Sequence, residues 1–212
     1  MRQLIFFVMD CNLKIVITAN GNGERMKGLS PRPKHLLYYG GKRIINHIIE
    51  ALQPFGEVRL FGRYPDHLPK GVWMECGETE SRRAQLELIR EWKNVLIVDC
   101  DVIPVFEGQA HDAIFYGLLN SETDAIWYFR SDCPKYGGLE MNEDRRLVAA
   151  KERGQGHKYR ASGMYFLKHV GATIDRMTDP NSIASGMAGA RMIFEGKFIR
   201  VGDVEDYLNA LK

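Results

Sequence analysis

The residues best suited to chemistry follow the first apolar stretch of the chain. A β-branched run over 15–19 predicts a buried strand, which ends in a turn that contains Gly21 and Gly23. Where side chains are missing, backbone N–H groups can approach an anion closely. Arg25 and Lys34 add two positive charges shortly afterwards. Strand, glycine-rich turn and cations together predict a binding site for a triphosphate.

A pair of carboxylates follows another apolar run. Residues 94–98 predict a second buried strand, and Asp99 and Asp101 come directly after it. In an open α/β sheet, ligands bind outside the carboxyl ends of the strands. The glycine-rich turn and the two carboxylates should therefore lie at one edge of the sheet and face one ligand.

The elements that position these residues alternate between strand and helix up to about residue 130. Strands are predicted over 13–19, 58–61, 72–75, 94–98 and 124–129, and helices over 42–53, 81–92 and 109–119. This alternation predicts a mostly parallel sheet with helices on both faces. Beyond it, we expect shorter strands over 136–140, 146–151 and 161–167, then helices near 169–176 and 204–211.

Size and composition narrow the class of protein. The chain has 212 residues and a formal net charge of +2, with no long basic block. One domain is expected, and nucleic acid and membranes are not expected as partners. The four cysteines, Cys11, Cys76, Cys100 and Cys133, show no metal-ligand spacing, so a cytoplasmic protein with reduced thiols is predicted.

The glycine-rich loop and the carboxylate pair resemble those of the sugar-nucleotidyltransferase family, the sugar-1-phosphate nucleotidylyltransferases and their cytidylyltransferase relatives. Residues 21–26 followed by Pro33 and Lys34 match the family's loop in order and spacing, and Asp101 matches its metal-binding aspartate. The resemblance covers most of 13–210. It implies the nucleotide-diphospho-sugar transferase fold, an α/β protein built as a three-layer α/β/α sandwich with a mostly parallel mixed sheet of Rossmann-like form.

The chain is expected to divide into two parts. Residues 1–12, whose apolar run is too short to span a bilayer, would be an N-terminal extension ahead of a single nucleotidyltransferase domain over 13–212. Within that domain, 13–130 would bind the nucleotide and 131–212 the acceptor. A closing turn and helix near 201–208 resemble the end of the family's domain.

The reaction that the resemblance implies is attack of a phosphate monoester on the α-phosphorus of an NTP, with release of pyrophosphate and with Mg²⁺ as the cofactor. The NTP would be CTP, dTTP, UTP or GTP, and the acceptor a small phosphate monoester such as a sugar-1-phosphate. Homo-oligomerisation stays open.

The resemblance assigns roles residue by residue. The catalytic residues would be Arg25, Lys34 and Asp101. The nucleotide-binding residues would be Ala19, Asn20, Gly21, Asn22, Gly23, Glu78 and Ser81. The acceptor-binding residues would be Gly138, Lys151, Gly163 and Tyr165, and the metal ligands Asp101 and Asp203.

Some positions favour other interpretations. Arg200 stands where the family has its second metal-binding aspartate, and Asp203 is the nearest carboxylate that could substitute. Ser81 could serve simply as the cap of the helix that follows it. Arg82 and Arg83 are expected on a solvated helix face, and a phosphate contact by one of them is the alternative. The Asp99-Cys100-Asp101 motif would also suit a metal-dependent glycosyltransferase. A regulatory protein that binds nucleotide sugars without catalysis is the third candidate.

Overall fold

The structure is a computed structural model, and it describes residues 13–19, 26, 29–30, 32–62, 73–75, 81–106, 110–133, 135–153, 156–194 and 198–211. Its strands in chain order are β1 (Lys14–Ala19), β2 (Tyr38–Tyr39), β3 (Lys42–Arg43), β4 (Glu57–Gly62), β5 (Trp73–Glu75), β6 (Lys93–Asp99), β7 (Val102–Pro104), β8 (Ala125–Arg130), β9 (Gly137–Met141), β10 (Leu147–Arg153), β11 (Tyr159–His169), β12 (Arg191–Phe194) and β13 (Phe198–Arg200). The helices are α1 (Ile44–Leu52), α2 (Arg82–Glu87), α3 (Ala110–Leu119), α4 (Val170–Arg176) and α5 (Val204–Ala210).

The centre of the fold is a sheet of nine strands. β1 lies between β4 and β6 and is parallel to both, and β5 extends this parallel part. The long strand β11 then pairs antiparallel with β6, β8 and β9. β12 adds a parallel edge to β8, and β10 pairs with β9. The sheet is mixed, as predicted, and its parallel part, β6, β1, β4 and β5, forms one side of it.

Helices cover both faces of this sheet, which is why its central strands are apolar on both sides. Along β1, Ile15 and Ile17 belong to one core, whereas Val16 belongs to the other. Helices α1, α3 and α5 pack on the first core, and α2 and α4 on the second. The three-layer α/β/α sandwich is therefore confirmed.

The shortest elements differ from the predictions. The hairpin β2–β3 and the antiparallel pair β7–β13 have only two or three residues per strand, too few for a visible periodicity. Helix α2 ends at Glu87 instead of 92, because the chain tightens into turns in which Trp92 N–H donates to the Ile89 carbonyl at 2.8 Å. The pair β7–β13 matters most, since it places Arg200 opposite Val102, next to the carboxylate loop.

Two expectations stay predictions. The proposed extension 1–12 lies outside the described residues. The division at residue 130 also stays a prediction. None of the helices within the described ranges has the length and apolar character needed to cross a membrane.

Candidate active site

A cleft of about 530 Å³ opens at the carboxyl end of β6. Its position agrees with the rule that ligands of open α/β sheets bind beyond the carboxyl ends of the strands. The residues that line it are Lys34, Arg82, Asp99, Asp101, Lys135, Tyr136, Gly137, Gly138, Leu139, Ala150, Lys151, Ala161, Gly163, Tyr165, Asp179, Asn181, Ser182, Ile183, Ala184 and Arg200.

Asp99, the last residue of β6, forms one ion pair of the cleft. Its Oδ1 accepts hydrogen bonds from Arg82 Nη2 at 2.6 Å and from Thr18 Oγ1 at 3.1 Å. The expectation that Arg82 lies on a solvated face is therefore wrong. Arg82 opens α2, and the Ser81 cap directs this first turn towards the cleft: the Ser81 hydroxyl accepts from the Ala84 N–H at 3.2 Å.

Asp101 forms the second ion pair, with Lys34. A short 3₁₀ turn over Lys34–Leu36, directly after Pro33, brings the Lys34 ammonium into hydrogen-bond contact with Asp101 Oδ2. Both side chains are largely shielded from solvent, with exposures of 14% and 7%. The structure thus brings together Lys34 and Asp101, which the sequence predicts as catalytic residues although they are 67 positions apart.

Gly163 allows β11 to pass close to the carboxylate loop. Its φ is +97°, a conformation that favours glycine. A Cβ at this position would lie 3.0 Å from both Asp99 Oδ2 and Val102 Cγ2. The glycine is therefore needed both for the backbone bend and for the closeness of Asp99.

All four predicted acceptor-binding residues line the cleft: Gly138, Lys151, Gly163 and Tyr165. Gly138 packs against the His157 imidazole, since a Cβ there would lie 2.4 Å from its Cγ. Burial, and then the charge of Asp99, raise the pKa of the Tyr165 phenol well above its usual value. Tyr165 is thus a neutral hydroxyl that can donate or accept a hydrogen bond in the cleft.

Arg200 enters the cleft from β13 and is held by groups without formal charge. Its guanidinium lies 4.4 Å from the centre of the Tyr136 ring, and Nη1 donates to the Ser162 carbonyl at 2.9 Å. Its Nε is buried and has no hydrogen-bond partner among the described residues. Sequence reasoning noted Arg200 only as a departure from the family pattern and gave it no role.

Asp203, the second predicted metal ligand, caps α5. Its carboxylate accepts from the Asp206 N–H at 2.9 Å and pairs with Lys135 at 3.1 Å. Lys135 also contacts Asp206 at 2.7 Å. Among the described residues that line the cleft, Asp203 is absent. The structure does not bring it together with Asp101 there, and its role as a metal ligand stays a prediction.

The pKa values of this cluster follow from burial and from its ion pairs. Burial lowers the pKa of Lys135, but the hydrogen bonds to Asp206 and Asp203 raise it more, so that it lies above its usual value. Burial raises the pKa of Tyr136 to about 12. Lys135 is charged and Tyr136 neutral near pH 7, and the cluster joins the 135–136 segment to α5.

The carboxylates of the cleft fit a magnesium ion. Within the described ranges, His, Cys, Asp and Glu side chains form no group of three or more that could hold a metal. Mg²⁺, however, is commonly bound by one or two carboxylates together with substrate phosphates and water. Asp101 and Asp99 provide that number at the cleft floor.

Of the predicted nucleotide-binding residues and Arg25, the structure describes only Ala19 and Ser81. Asn20, Gly21, Asn22, Gly23, Arg25 and Glu78 lie outside the described residues. Ala19 ends β1 and is buried. Ser81 is the cap that one interpretation expected, and contact with a base stays a prediction for it.

No protein-family model matches the chain, and no curated protein sequence matches it at a significant level. Solved structures do. A Bacillus anthracis protein assigned as a glucose-1-phosphate thymidylyltransferase, in complex with a sucrose, is similar with a TM-score of 0.72 and 15% identity over 93% of both chains.

Two further structures are similar over almost their whole length. HddC from Yersinia pseudotuberculosis has a TM-score of 0.70 and 20% identity over 94% of this chain and 98% of its own. The CTP:phosphocholine cytidylyltransferase LicC from Streptococcus pneumoniae has a TM-score of 0.72 and 16% identity over 93% and 96%. The chain therefore has the fold of these nucleotidyltransferase structures, in agreement with the resemblance of its motifs.

Proposed function

We propose that this protein is a Mg²⁺-dependent nucleotidyltransferase that transfers an NMP from an NTP to a small phosphate monoester and releases pyrophosphate. One observation carries the proposal. Lys34 and Asp101 meet in the cleft that Gly138, Lys151, Gly163 and Tyr165 also line. The names of the similar structures, which include thymidylyltransferase and cytidylyltransferase, point to the same reaction type.

The reaction needs positioning and neutralisation of charge. An oxygen of the acceptor phosphate forms a bond to the α-phosphorus, and the bond from that phosphorus to the oxygen that bridges to the β-phosphate breaks. The electron pair of the broken bond leaves with pyrophosphate. Because the acceptor is already an anion, no base has to remove a proton from it.

Lys34 would neutralise negative charge where the two phosphates meet. An ammonium fixed beside the reacting group stabilises the transition state more than a mobile one, since no reorganisation is needed at the moment of reaction. Its contact with Asp101 holds it in the cleft before substrates arrive. When an NTP binds, Lys34 would exchange a carboxylate for a phosphate oxygen.

Asp101, assisted by Asp99, would hold the Mg²⁺. The ion supplies Lewis-acid stabilisation of phosphate oxygens when it is bound. Arg82 would keep Asp99 in position, because it donates a hydrogen bond to Oδ1 of that carboxylate. Oδ2 would then be the oxygen that contacts the metal. Asp203 would take part only if its contacts with Lys135 and with the start of α5 were released.

The residues proposed to bind the triphosphate and the base are assigned from the sequence motifs. Gly21, Gly23 and Arg25 would bind the β- and γ-phosphates, with Ala19, Asn20 and Asn22 beside them. Glu78 and Ser81 would contact the base. The acceptor would lie against the Gly138 side of the cleft.

The proposal is tested by a matrix of nucleotides and acceptors. CTP, UTP, GTP, ATP and dTTP are each combined with sugar-1-phosphates, phosphocholine and glycerol phosphate, and pyrophosphate is measured with Mg²⁺ present. We expect at least one pair to release pyrophosphate, and both EDTA and Asp101→Ala to abolish it. In a parallel assay supplied with nucleotide sugars, release of a nucleoside diphosphate would indicate a glycosyltransferase instead. Nucleotide binding without turnover of any pair would indicate a regulatory binding protein.

A further inference from the structure

Among the described residues, five cations line the cleft, and they differ in how their charges are balanced. Lys34 and Arg82 pair with Asp101 and Asp99 at the cleft floor. Lys135 contacts Asp206 at 2.7 Å, and Lys151 lies 3.5 Å from Glu140. Arg200 is different: within the part of the chain that the structure describes, its guanidinium contacts carbonyls and an aromatic ring, and no carboxylate.

The orientation of Arg200 is nevertheless fixed. Nη1 donates to the Ser162 carbonyl at 2.9 Å and lies 3.4 Å from that of Ala161. The guanidinium lies over Tyr136 at 4.4 Å, a cation–π arrangement that tolerates a buried charge. Tyr136 is in turn held by its hydroxyl, which donates to Asp206 Oδ1 at 3.0 Å. An arginine with this support loses little conformational freedom when it binds a ligand.

Nε of Arg200 has no partner among the described residues. It is buried there without a hydrogen bond, and burial of an unpaired donor is unfavourable. A guanidinium that lines a cleft can donate charge-assisted hydrogen bonds to a phosphate through its exposed N–H groups. Within the described ranges Arg200 has no ion pair that an anion would have to break, whereas Lys34, Arg82, Lys135 and Lys151 each have one.

We infer that Arg200 binds the phosphate of the acceptor, and that it is an anion site whose charge and orientation are set by its own contacts. The position favours the acceptor over the nucleotide. Arg200 contacts the carbonyls of Ala161 and Ser162, directly before Gly163, and its stacking partner Tyr136 precedes Gly137 and Gly138. The anion site follows from the geometry alone, whereas its assignment to the acceptor rests on the proposed function.

The test measures binding of two probes, inorganic phosphate and glucose 1-phosphate, by ³¹P NMR titration in EDTA without nucleotide. Arg200→Gln is compared with the wild type and with Arg59→Gln. Arg59 is a matched control, because it is an ion-paired arginine of β4 that does not line the cleft. Arg200→Lys keeps the charge but loses the planar fork, and thermal unfolding of every variant verifies that it is folded.

We expect Arg200→Gln to weaken the binding of both probes by about 10- to 100-fold, as for the loss of hydrogen bonds between charged groups. Arg200→Lys should bind with intermediate affinity, and Arg59→Gln like the wild type. In steady-state kinetics, Arg200→Gln should raise KM for the acceptor and leave KM for the NTP within about twofold.

Two results would overturn the inference. One is a wild type that binds neither probe, and the other is a folded Arg200→Gln variant that binds both as tightly as the wild type. The outcomes separate this inference from the proposed function. If Arg200→Gln turns over substrate with an unchanged acceptor KM, the role of Arg200 is rejected and the nucleotidyltransferase activity is retained. If phosphate binding depends on Arg200 but no pair of substrates reacts, the anion site is retained and the nucleotidyltransferase activity is rejected.

Discussion

Polar cavities lie at both ends of the strands of the central sheet. Among the described residues, only the cavity at the carboxyl end of β6 contains a buried hydrogen-bond donor of a charged group without a partner. The larger cavity, about 530 Å³, lies at the carboxyl end of β6 and contains Asp99 and Asp101. A smaller one, about 180 Å³, lies around Asp124, Lys168 and His169. This cavity lies at the opposite end of β6, because His169, the last residue of the antiparallel strand β11, pairs with Lys93, the first residue of β6.

The polar groups around the smaller cavity hold neighbouring elements of the fold together. The Asp124 carboxylate accepts from the Lys168 N–H at 2.8 Å and from Arg176 Nη2 at 2.9 Å, and Thr173 Oγ1 lies 3.4 Å away. The Lys168 ammonium donates to the Leu119 carbonyl at 3.0 Å. At the other end, Arg200 Nε has no such partner among the described residues. Charged residues therefore do not by themselves identify a binding site, whereas incompletely paired groups beside a cavity large enough for a ligand do.

The largest expected effect is that of Asp101→Asn. If Asp101 holds the metal, its loss should lower turnover on the order of a thousandfold, because one charge-stabilising contact alone is worth about 10²–10³-fold. Pyrophosphate release measured across a Mg²⁺ titration tests this. A variant with normal turnover and normal Mg²⁺ dependence would remove Asp101 from the site.

Lys34→Ala should lower turnover on the order of a hundredfold, since it removes the ammonium that meets the transferred phosphate. Lys42→Ala is the matched control, because Lys42 is also ion-paired, with Glu50 at 2.7 Å, but on the exposed surface. It should turn over like the wild type. Equal rates for the two variants would place Lys34 outside the reaction.

Gly163→Ala should lower turnover about tenfold through displacement of Asp99. Gly189 provides the control at the other end: its φ is +83°, and a Cβ there would meet nothing within 4 Å. Both variants should lose about 1 kcal/mol of unfolding free energy from the positive φ. Only Gly163→Ala brings a Cβ to 3.0 Å from Asp99 Oδ2, so a matching loss of turnover in Gly189→Ala would contradict this account.

Asp124→Asn should change stability and leave turnover per folded molecule as it was. Asp124 is only 10% exposed and holds three donors, so its charge is worth about 2 kcal/mol to the fold. Denaturant unfolding gives the loss, and the pyrophosphate assay gives the rate. A catalytic defect in a fully folded variant would mean that the smaller cavity takes part in function.

The smallest effect concerns Cys100, whose side chain lies in the core between two cleft residues. Burial raises the pKa of the Cys100 thiol from 9.0 to about 11. Because the thiolate is the reactive form, alkylation of Cys100 in the folded protein should stay slow at pH 9 and increase only towards pH 11. Peptide mapping by mass spectrometry follows this residue. Rapid labelling at pH 8 would contradict this, since it would show that the Cys100 thiol is accessible to reagent and ionises near its usual pH.

The raised thiol pKa also has a consequence for stability. Between pH 9 and 11 the unfolded chain would lose the Cys100 proton while the folded chain keeps it. Stability from this group is therefore fully present below pH 9 and decreases as pH rises towards 11.

The sequence predicted the large elements and the meeting of Lys34 with Asp101. Long apolar runs such as 94–98 leave little choice of structure, and the parallel direction of strands joined by helices brings their carboxyl ends to the same side of the sheet. A Pro-Lys pair and an aspartate at the end of a strand are local signals that need no knowledge of the packing.

The contacts around Arg82 and Arg200 could not be predicted in the same way. Arg82 reaches Asp99 only because α2 is capped at Ser81 and packs beside β6, and on a helix pattern alone it looked solvent-facing. Arg200 depends on β13, a strand of three residues whose pairing with β7 is a tertiary event. Short elements have too few residues for a periodic signal, so the residues they position are also missed.

The most direct measurement is a crystal soaked with Mn²⁺ and a nonhydrolysable NTP, with the ion located by its anomalous signal. We expect Mn²⁺ in contact with the Asp101 carboxylate in the larger cavity, and the Lys34 ammonium turned from Asp101 to a phosphate oxygen. A nucleotide and metal bound elsewhere, with Lys34 and Asp101 still paired to each other, would contradict it.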